Sequence, residues 1–539
     1  MKLEAPLGQW LRWGAIALLV IGILFRFGNL GKKVYWIDET YTSLRISGYG
    51  EQELIAQTYT GEVITVADLQ SFQNLSPDRT WTDTLKSLSE SPQHPPLYFL
   101  LGRLWIQIWG ASPATVRSLS ALLSLLTFPA LYWLGRELFE RPTARWLAIA
   151  CVAVSPFHVL YAQEARQYSL WTALTIASGA ALLWAMRLTQ TAVPPPRRWL
   201  AWLTYTLLLA TSFYTFLLTG LVAIAHGVFI GIRTWQKRER SLLLSYLVAT
   251  AAAILLFTPW LGVMISHAQR VSRTAAWANE RFSLDWLILR WLLYPINQVL
   301  DLNLGDRYLT SPAILLMVAM VALIIYAVIV VAREAPPLTA QFIFVTTAVP
   351  ALMLILPDLL FGGQRSGTAR YMIPVYFGLH LAVIYALSLR LETATRTRAR
   401  WQLITLGVLV AGIVSCGISS QATLWWTKSP DKHQHNHRIV AALNQSDRPL
   451  LISDDSTDLS TCFACRMLTL SYDLPPETRL QLVRSPQIPV LPSDRPDVFV
   501  LSPSRRLVRR LADQGYTSRL VFEADRVWFW HLTPDIKSG

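Results

Sequence analysis

Long apolar runs alternate with short basic ones for most of the chain. The apolar blocks lie near residues 10–28, 97–110, 118–135, 146–162, 169–186, 199–232, 242–265, 312–332, 340–356, 371–389 and 402–420. A helix rises 1.5 Å per residue, so about 20 apolar residues cross a hydrocarbon core of ~30 Å. Most of these blocks meet that length. The stretch 199–232 lies between two basic clusters and is long enough for two short spans, turning at Ser212-Phe213-Tyr214. The block 97–110 is short and carries Arg103 and Gln107, and a full crossing there would invert every later loop. Taken as an interfacial or re-entrant helix, it leaves eleven expected transmembrane helices.

The pattern changes after Trp426. Residues 449–453 and 497–501 read as short buried strands and 504–514 as a helix, which together predict a small α/β domain. The expected fold is thus a polytopic α-helical membrane protein with a membrane domain over 1–426 and a soluble α/β domain over 427–539.

Composition agrees with a lipid environment: 53% of the 539 residues are hydrophobic and 15% charged, against roughly 25% charged in soluble domains. A soluble two-domain enzyme does not fit. The net charge of +14 would point to nucleic acid in a soluble protein. Here it gathers in short clusters between apolar blocks (136–145, 187–198, 233–240, Arg333 and 390–400), the positive-inside pattern of cytoplasmic loops. The expected topology has the N-terminus cytoplasmic and the C-terminal domain outside a plasma or inner membrane, with Lys32 and Lys33 on the less usual side. The first block lacks a small-residue cleavage site and reads as a retained helix. Cys151 and Cys416 fall inside apolar blocks as small core residues. Cys462 and Cys465 form a lone pair without zinc-site spacing, open between a local disulfide and two thiols.

This threading sets four polar segments on the outer face, 31–95, 266–310, 357–370 and 427–539, of which residues 286–294 suit an interfacial helix. Candidate chemistry gathers in or beside them. Asp38 and Glu39 stand among aromatics just past the first span, where carboxylates are costly and often functional. One can act as base while its neighbour orients it or binds a cation; a solvated loop start is the plainer alternative. His94 is held by Pro95 and Pro96 at the start of the short helix and can ligate metal or bond a phosphate, although a helix-start proline pair with an incidental histidine explains it too. Gln163-Glu164-Ala165-Arg166-Gln167-Tyr168 sets Glu164 and Tyr168 on one face if helical. Arg365, Arg370 and Tyr371 lead from an outer loop into a span, where guanidinium groups suit a phosphate diester or, equally, lipid headgroups.

Together these elements resemble the glycosyltransferase family 39 and dolichyl-phosphate-mannose protein mannosyltransferase superfamily, including the bacterial lipid A aminoarabinose transferases. The resemblance rests on Asp38-Glu39, His94-Pro95-Pro96-Leu97, Ser155-Pro156 with Gln163 to Tyr168, and Arg370-Tyr371 with Pro374. It spans roughly residues 10–389 and leaves the C-terminal domain outside. What it implies is a GT-C membrane glycosyltransferase. The donor would be a polyprenyl-phosphate sugar, hexosyl or pentosyl, and the acceptor a lipid, glycan or protein on the extracytoplasmic face of the cell envelope. By that analogy Asp38 is the catalytic base, with inversion at the anomeric carbon, and Glu39 is secondary to it. Glu164, His94 and Tyr168 would position acceptor or cation; Arg166, Arg370, Tyr371 and Arg365 would hold the donor phosphate. With a phosphate acceptor no strong base is required, and Asp38 would orient or bind metal. A divalent ion at Asp38, His94 or Glu164 stays open, and no nucleotide cofactor is expected because no Gly-rich loop follows a strand. The rival class is a transporter or flippase for a glycolipid or polysaccharide precursor. It would carry inverted repeats and midplane charges, whereas the charges here gather at one face.

Overall fold

The computed structural model describes residues 6–534 apart from 192–193, 275, 395, 456–462, 485–486, 493–496 and 526. Two compact units emerge. One comprises residues 1–30, 91–98 and 117–421; the other comprises 31–90, 99–116 and 422–539. This partition differs from a simple break at 426, because residues 31–90 and 99–116 group with the C-terminal chain.

In the helical unit and the helix leading into it, eight helices among the described residues are long and apolar enough to cross a membrane, and nine if a bent pair counts as one span. The protein is therefore a multi-pass membrane protein. Tyr168–Thr189 and Ile373–Thr393 are the inner helices, 83% and 89% buried over their apolar windows, whereas Ile314–Glu334 and Pro337–Phe361 are only 22% buried and show their leucines outward, as lipid-facing helices do. The stretch 199–232 does form two helices, Pro195–Phe213 and Thr219–Lys237. Leu97–Trp109 has 13 residues, about 20 Å of helix, too short for the hydrocarbon core.

The bent pair, Pro142–Ala153 and Pro156–Ala162, turns by 57°. Pro156 removes a backbone donor at the break and is favoured at the first helical position. The carbonyls left over are taken by a buried arginine: Arg26 Nη1 donates to Ala153 O at 2.6 Å and Nη2 to Val152 O at 3.1 Å. Helix crossings close on the same bend. A Cβ on Gly22 would sit 2.3 Å from Ala153 O, and one on Gly412 2.5 Å from Val154 O, so both helices need glycine where they meet it. Cys151 and Cys416 are buried here, as expected of small core residues, and the Cys416 thiol donates to Val154 O at 3.4 Å.

The second unit is built on a six-stranded sheet of order β1-β3-β2-β4-β6-β5. The strands are β1 (Thr60–Thr65), β2 (Pro449–Asp454), β3 (Arg479–Val483), β4 (Asp497–Leu501), β5 (Tyr516–Ala524) and β6 (Val527–Pro534). β3, β2 and β4 are parallel, and the other pairings antiparallel. Central strand β2 is buried at every position. Leu451 packs with Leu44, Leu54 and Leu69 of the segment 31–90 and with Met467 and Leu468. Leu450 and Ile452 pack on the opposite face with Leu507 and Leu511. Burial on both faces explains the unbroken apolar run that marks this strand in the sequence. The helix expected at 504–514 is Arg505–Asp513, N-capped by Ser504 Oγ, which accepts from Leu507 N at 3.1 Å. Cys462 and the Cys465 side chain lie outside the described residues.

Candidate active site

The candidate residues fall into two groups, one in each unit. In the helical unit, Gln163–Gln167 is a tight turn between Pro156–Ala162 and Tyr168–Thr189, with Arg166 N donating to Glu164 O at 2.6 Å. The shared helical face considered for Glu164 and Tyr168 is therefore absent; the helix starts only at Tyr168. The turn is anchored by Gln163 Nε2, which donates to Phe25 O at 2.6 Å and Gly28 O at 2.8 Å. These carbonyls belong to the end of the Pro6–Phe27 helix, where acceptors lack helical partners. Glu164 and Arg166 are both nearly fully buried.

Aromatic rings join this turn to the loop carrying Arg370. Tyr161 meets Tyr168 at 5.4 Å, Tyr168 meets Phe216 at 5.8 Å, Phe216 meets Tyr371 at 6.1 Å, and Tyr371 meets Trp277 at 6.0 Å between centroids. The Arg370 guanidinium stands over Trp277 at 5.5 Å and Tyr371 at 5.7 Å, and Arg166 over Tyr168 at 5.8 Å. The third and fourth sequence motifs thus share one aromatic-lined cluster. Guanidinium groups stack on rings and match phosphate or carboxylate geometry at their edges.

The His94 segment borders it. Leu97 N donates to Tyr214 O at 3.0 Å, Trp260 Nε1 donates to Pro92 O at 3.0 Å, and His94 is half-buried. Tyr98 reaches the cluster: its hydroxyl meets Ser120 Oγ at 2.6 Å, and Ser120 Oγ donates to Arg166 O at 3.3 Å. Arg365 braces its own loop, donating to Asp358 Oδ1 at 2.9 Å and to Asn279. Asp358 also accepts from Ser366 N at 2.6 Å and Ser366 Oγ at 2.7 Å. Asp358, Trp277 and Phe216 were not singled out from sequence. Of these only Asp358 carries a clear signal, as a carboxylate in the last turn of an apolar helix.

In the second unit, Asp38 and Glu39 form the first turn of the Ile37–Ile46 helix. Carboxylates there face the positive end of the helix dipole. Asp38 is half-buried. Glu39 is fully buried, and its Oε2 accepts from Lys428 Nζ at 3.0 Å, both side chains being 0% exposed. The far end of the helix is capped by Arg103, whose Nη1 donates to Ile46 O at 3.1 Å and Thr84 Oγ1 at 2.9 Å. Burial raises the Glu51 carboxyl above its usual range against the pull of the Tyr41 hydroxyl and Arg45. The His433 imidazole is pushed down to about 3 by burial first and then by Arg466, Lys432 and Lys428, so it is neutral at pH 7. Among the described residues no group of three or more His, Cys, Asp or Glu comes together.

Residues 93–262 match the family described as dolichyl-phosphate-mannose-protein mannosyltransferase. Among curated proteins none matches the chain. Among solved structures, ArnT from Cupriavidus metallidurans bound to undecaprenyl phosphate superposes with a TM-score of 0.52 at 11% identity, over 97% of this chain and 98% of that one. The chain shares the fold of that structure. ArnT in the apo state gives 0.52 at 10% identity with the same coverage. The Archaeoglobus fulgidus oligosaccharyltransferase AglB, in complex with an inhibitory peptide and a dolichol-phosphate, gives 0.48 at 12% identity over 84% of this chain and 63% of that one.

Proposed function

We propose that this protein is a membrane glycosyltransferase that moves a sugar from a polyprenyl-phosphate carrier to a lipid, glycan or protein acceptor on the extracytoplasmic face. The observation that carries the reading is the cluster of Arg370 and Arg166 on aromatic rings in a GT-C fold. Two guanidinium groups at membrane level suit a lipid phosphate, and the related ArnT structure holds undecaprenyl phosphate. In the proposed reaction Asp38 takes the proton of an acceptor hydroxyl as its oxygen bonds to the anomeric carbon. The bond from that carbon to the carrier phosphate breaks with its electron pair on the phosphate, giving inversion. Arg370 and Arg166 stabilise the growing phosphate charge, Glu164 and Tyr168 position acceptor, and Tyr371 sets the stacking of Arg370. Glu39 shapes the turn that presents Asp38, and Arg365 shapes the loop that presents Arg370. The transporter class finds no support in the fold. Incubating the purified chain with labelled undecaprenyl-phosphate hexoses and pentoses and a membrane extract tests the whole reading. A labelled acceptor supports it and names the sugar class; no transfer across the panel counts against it.

The proposed topology counts the eight long helices, the bent pair, Pro195–Phe213 and Thr219–Lys237 as eleven spans, with the C-terminal α/β region outside. Single cysteines placed at exposed Ala276 and Lys237 should be labelled by a membrane-impermeant maleimide from outside and inside, respectively. The reverse pattern would invert the orientation.

Arg370→Ala should weaken binding of undecaprenyl phosphate by tenfold or more, since a hydrogen bond to a charged group contributes about 1.5–3 kcal/mol. Lys should restore only part of this, because it lacks the bidentate geometry. Wild-type lipid affinity in a folded Arg370→Ala chain would reassign the residue to headgroup anchoring.

A further inference from the structure

The helix carrying Asp38 begins without a side-chain cap. Trp36 is its N-cap residue and contributes only its carbonyl, to Glu39 N at 2.9 Å and Thr40 N at 3.0 Å. Helix starts are ordinarily fixed by a Ser, Thr, Asp or Asn side chain. Here the fixing comes from residues more than 380 positions later in the chain. Val34 N donates to Thr423 O at 2.8 Å, the Tyr35 ring packs edge-on against Tyr472 at 5.1 Å, and Lys428 Nζ lies 5.6 Å from the centre of the Trp36 ring. The same ammonium pairs with Glu39 at 3.0 Å. Lys428 is itself set by a short helical turn, Trp426–Lys428, and its N donates to Trp425 O at 2.9 Å. Asp38 is thus bracketed: the residues at positions 36 and 39 both touch one buried lysine.

We infer that Lys428 is a positioning residue for Asp38, so that the segment following the last span forms part of the reaction apparatus. This rests on the proposed role of Asp38 and deepens it. A buried ion pair is weak evidence for stability, since taking both charges out of water costs about as much as their attraction returns. An apolar contact would hold the two segments together equally well. What the pair adds is direction: an ammonium held by a carboxylate on one side and a ring face on the other fixes the rotation of the helix's first turn, and with it the aim of the Asp38 carboxylate. Displacement of a reacting group by about 1 Å costs roughly 10²-fold in rate.

Full-length Lys428→Arg, Lys428→Met and doubly neutral Glu39→Gln/Lys428→Met chains test this beside the unmutated chain and Asp38→Asn. The readouts are transfer from labelled undecaprenyl-phosphate hexoses and pentoses, thermal unfolding, and amide exchange over residues 36–42. The doubly neutral variant is expected to melt nearer the unmutated chain than Lys428→Met does, because the two charges of the pair leave together. Its kcat should nevertheless fall by about 10²-fold with donor KM within about twofold, and exchange over 36–42 should rise. Lys428→Arg, which keeps the cation, should recover most of kcat. If Lys428→Met does not fold, the double variant alone carries the result. Unmutated kcat in the double variant, or unchanged exchange over 36–42, overturns the inference. Should Asp38→Asn keep full transfer, the role of Asp38 fails while the exchange data still decide whether Lys428 fixes the helix.

Discussion

Asp38→Asn is expected to lower the transfer rate by about 10²- to 10⁴-fold, the range for loss of a general base, with the affinity for undecaprenyl phosphate little altered. Asparagine keeps the size of the side chain and most of its hydrogen bonding. Asp38 is half-buried at the start of the Ile37–Ile46 helix, so the variant should insert and melt like the unmutated chain. The separation of rate from affinity is the informative part. In the proposed reaction the carrier phosphate is gripped by Arg370 and Arg166, residues of the helical unit, whereas Asp38 acts on the acceptor proton. A folded Asp38→Asn chain with full transfer would remove Asp38 from the mechanism. A phosphate acceptor, already deprotonated, gives a distinct pattern: a loss well under 10²-fold with the pH dependence of transfer unchanged.

Most of the helical architecture was legible from apolar block length, because in lipid each span must satisfy its own backbone and so advertises itself as a long apolar run. The two helices within 199–232 and the shortness of 97–109 were legible for the same reason. The strands at 449–454 and 497–501 also showed, being apolar runs bounded by turn residues, and the helix after Ser504 showed by its N-cap serine and the helical spacing of Leu507 and Leu511. What stayed hidden depends on distant pairing. β1, Thr60-Gly-Glu-Val-Ile-Thr, has no clean alternation and becomes a strand only through its antiparallel register with Arg479–Val483. Its membership in the sheet ties residues 31–90 to the C-terminal chain. Likewise the turn at Gln163–Gln167 could not be told from a helix by spacing, since it depends on the bend at Pro156 and on the carbonyls that Gln163 receives from Phe25 and Gly28.

The candidate site was legible in kind more than in assignment. Arg370, Arg166 and Tyr168 share one aromatic cluster. Arg365 and Glu39, chosen from sequence beside Arg370 and Asp38, are instead each engaged in an ion pair, with Asp358 and Lys428. A charged residue next to a reactive one looks the same in a sequence whether it faces the ligand or holds the backbone. Only the partner, 389 positions away for Glu39, separates the two.

That distinction yields an expectation for Glu39→Gln opposite in character to the one for Asp38→Asn. Glutamine fits the space of the glutamate, but it takes the Glu39 counter-charge away from the buried Lys428 ammonium. Removing one partner of a buried pair typically costs about 3–5 kcal/mol. For a unit of this size that lowers the apparent melting midpoint on the order of 10 °C. The loss should fall on yield and thermal stability first. The surviving folded fraction, assayed well below its midpoint, should keep more of its transfer rate than Asp38→Asn does, since the carboxylate proposed as base is still present. Adding Lys428→Met to Glu39→Gln should return most of the lost stability, because removal of both charges is often neutral or stabilising by about 1–4 kcal/mol. Thermal unfolding of the three chains in one detergent, alongside their initial transfer rates, resolves the two roles. If Glu39→Gln melts like the unmutated chain yet transfers as poorly as Asp38→Asn, Glu39 belongs with Asp38 in the chemistry and not beneath it.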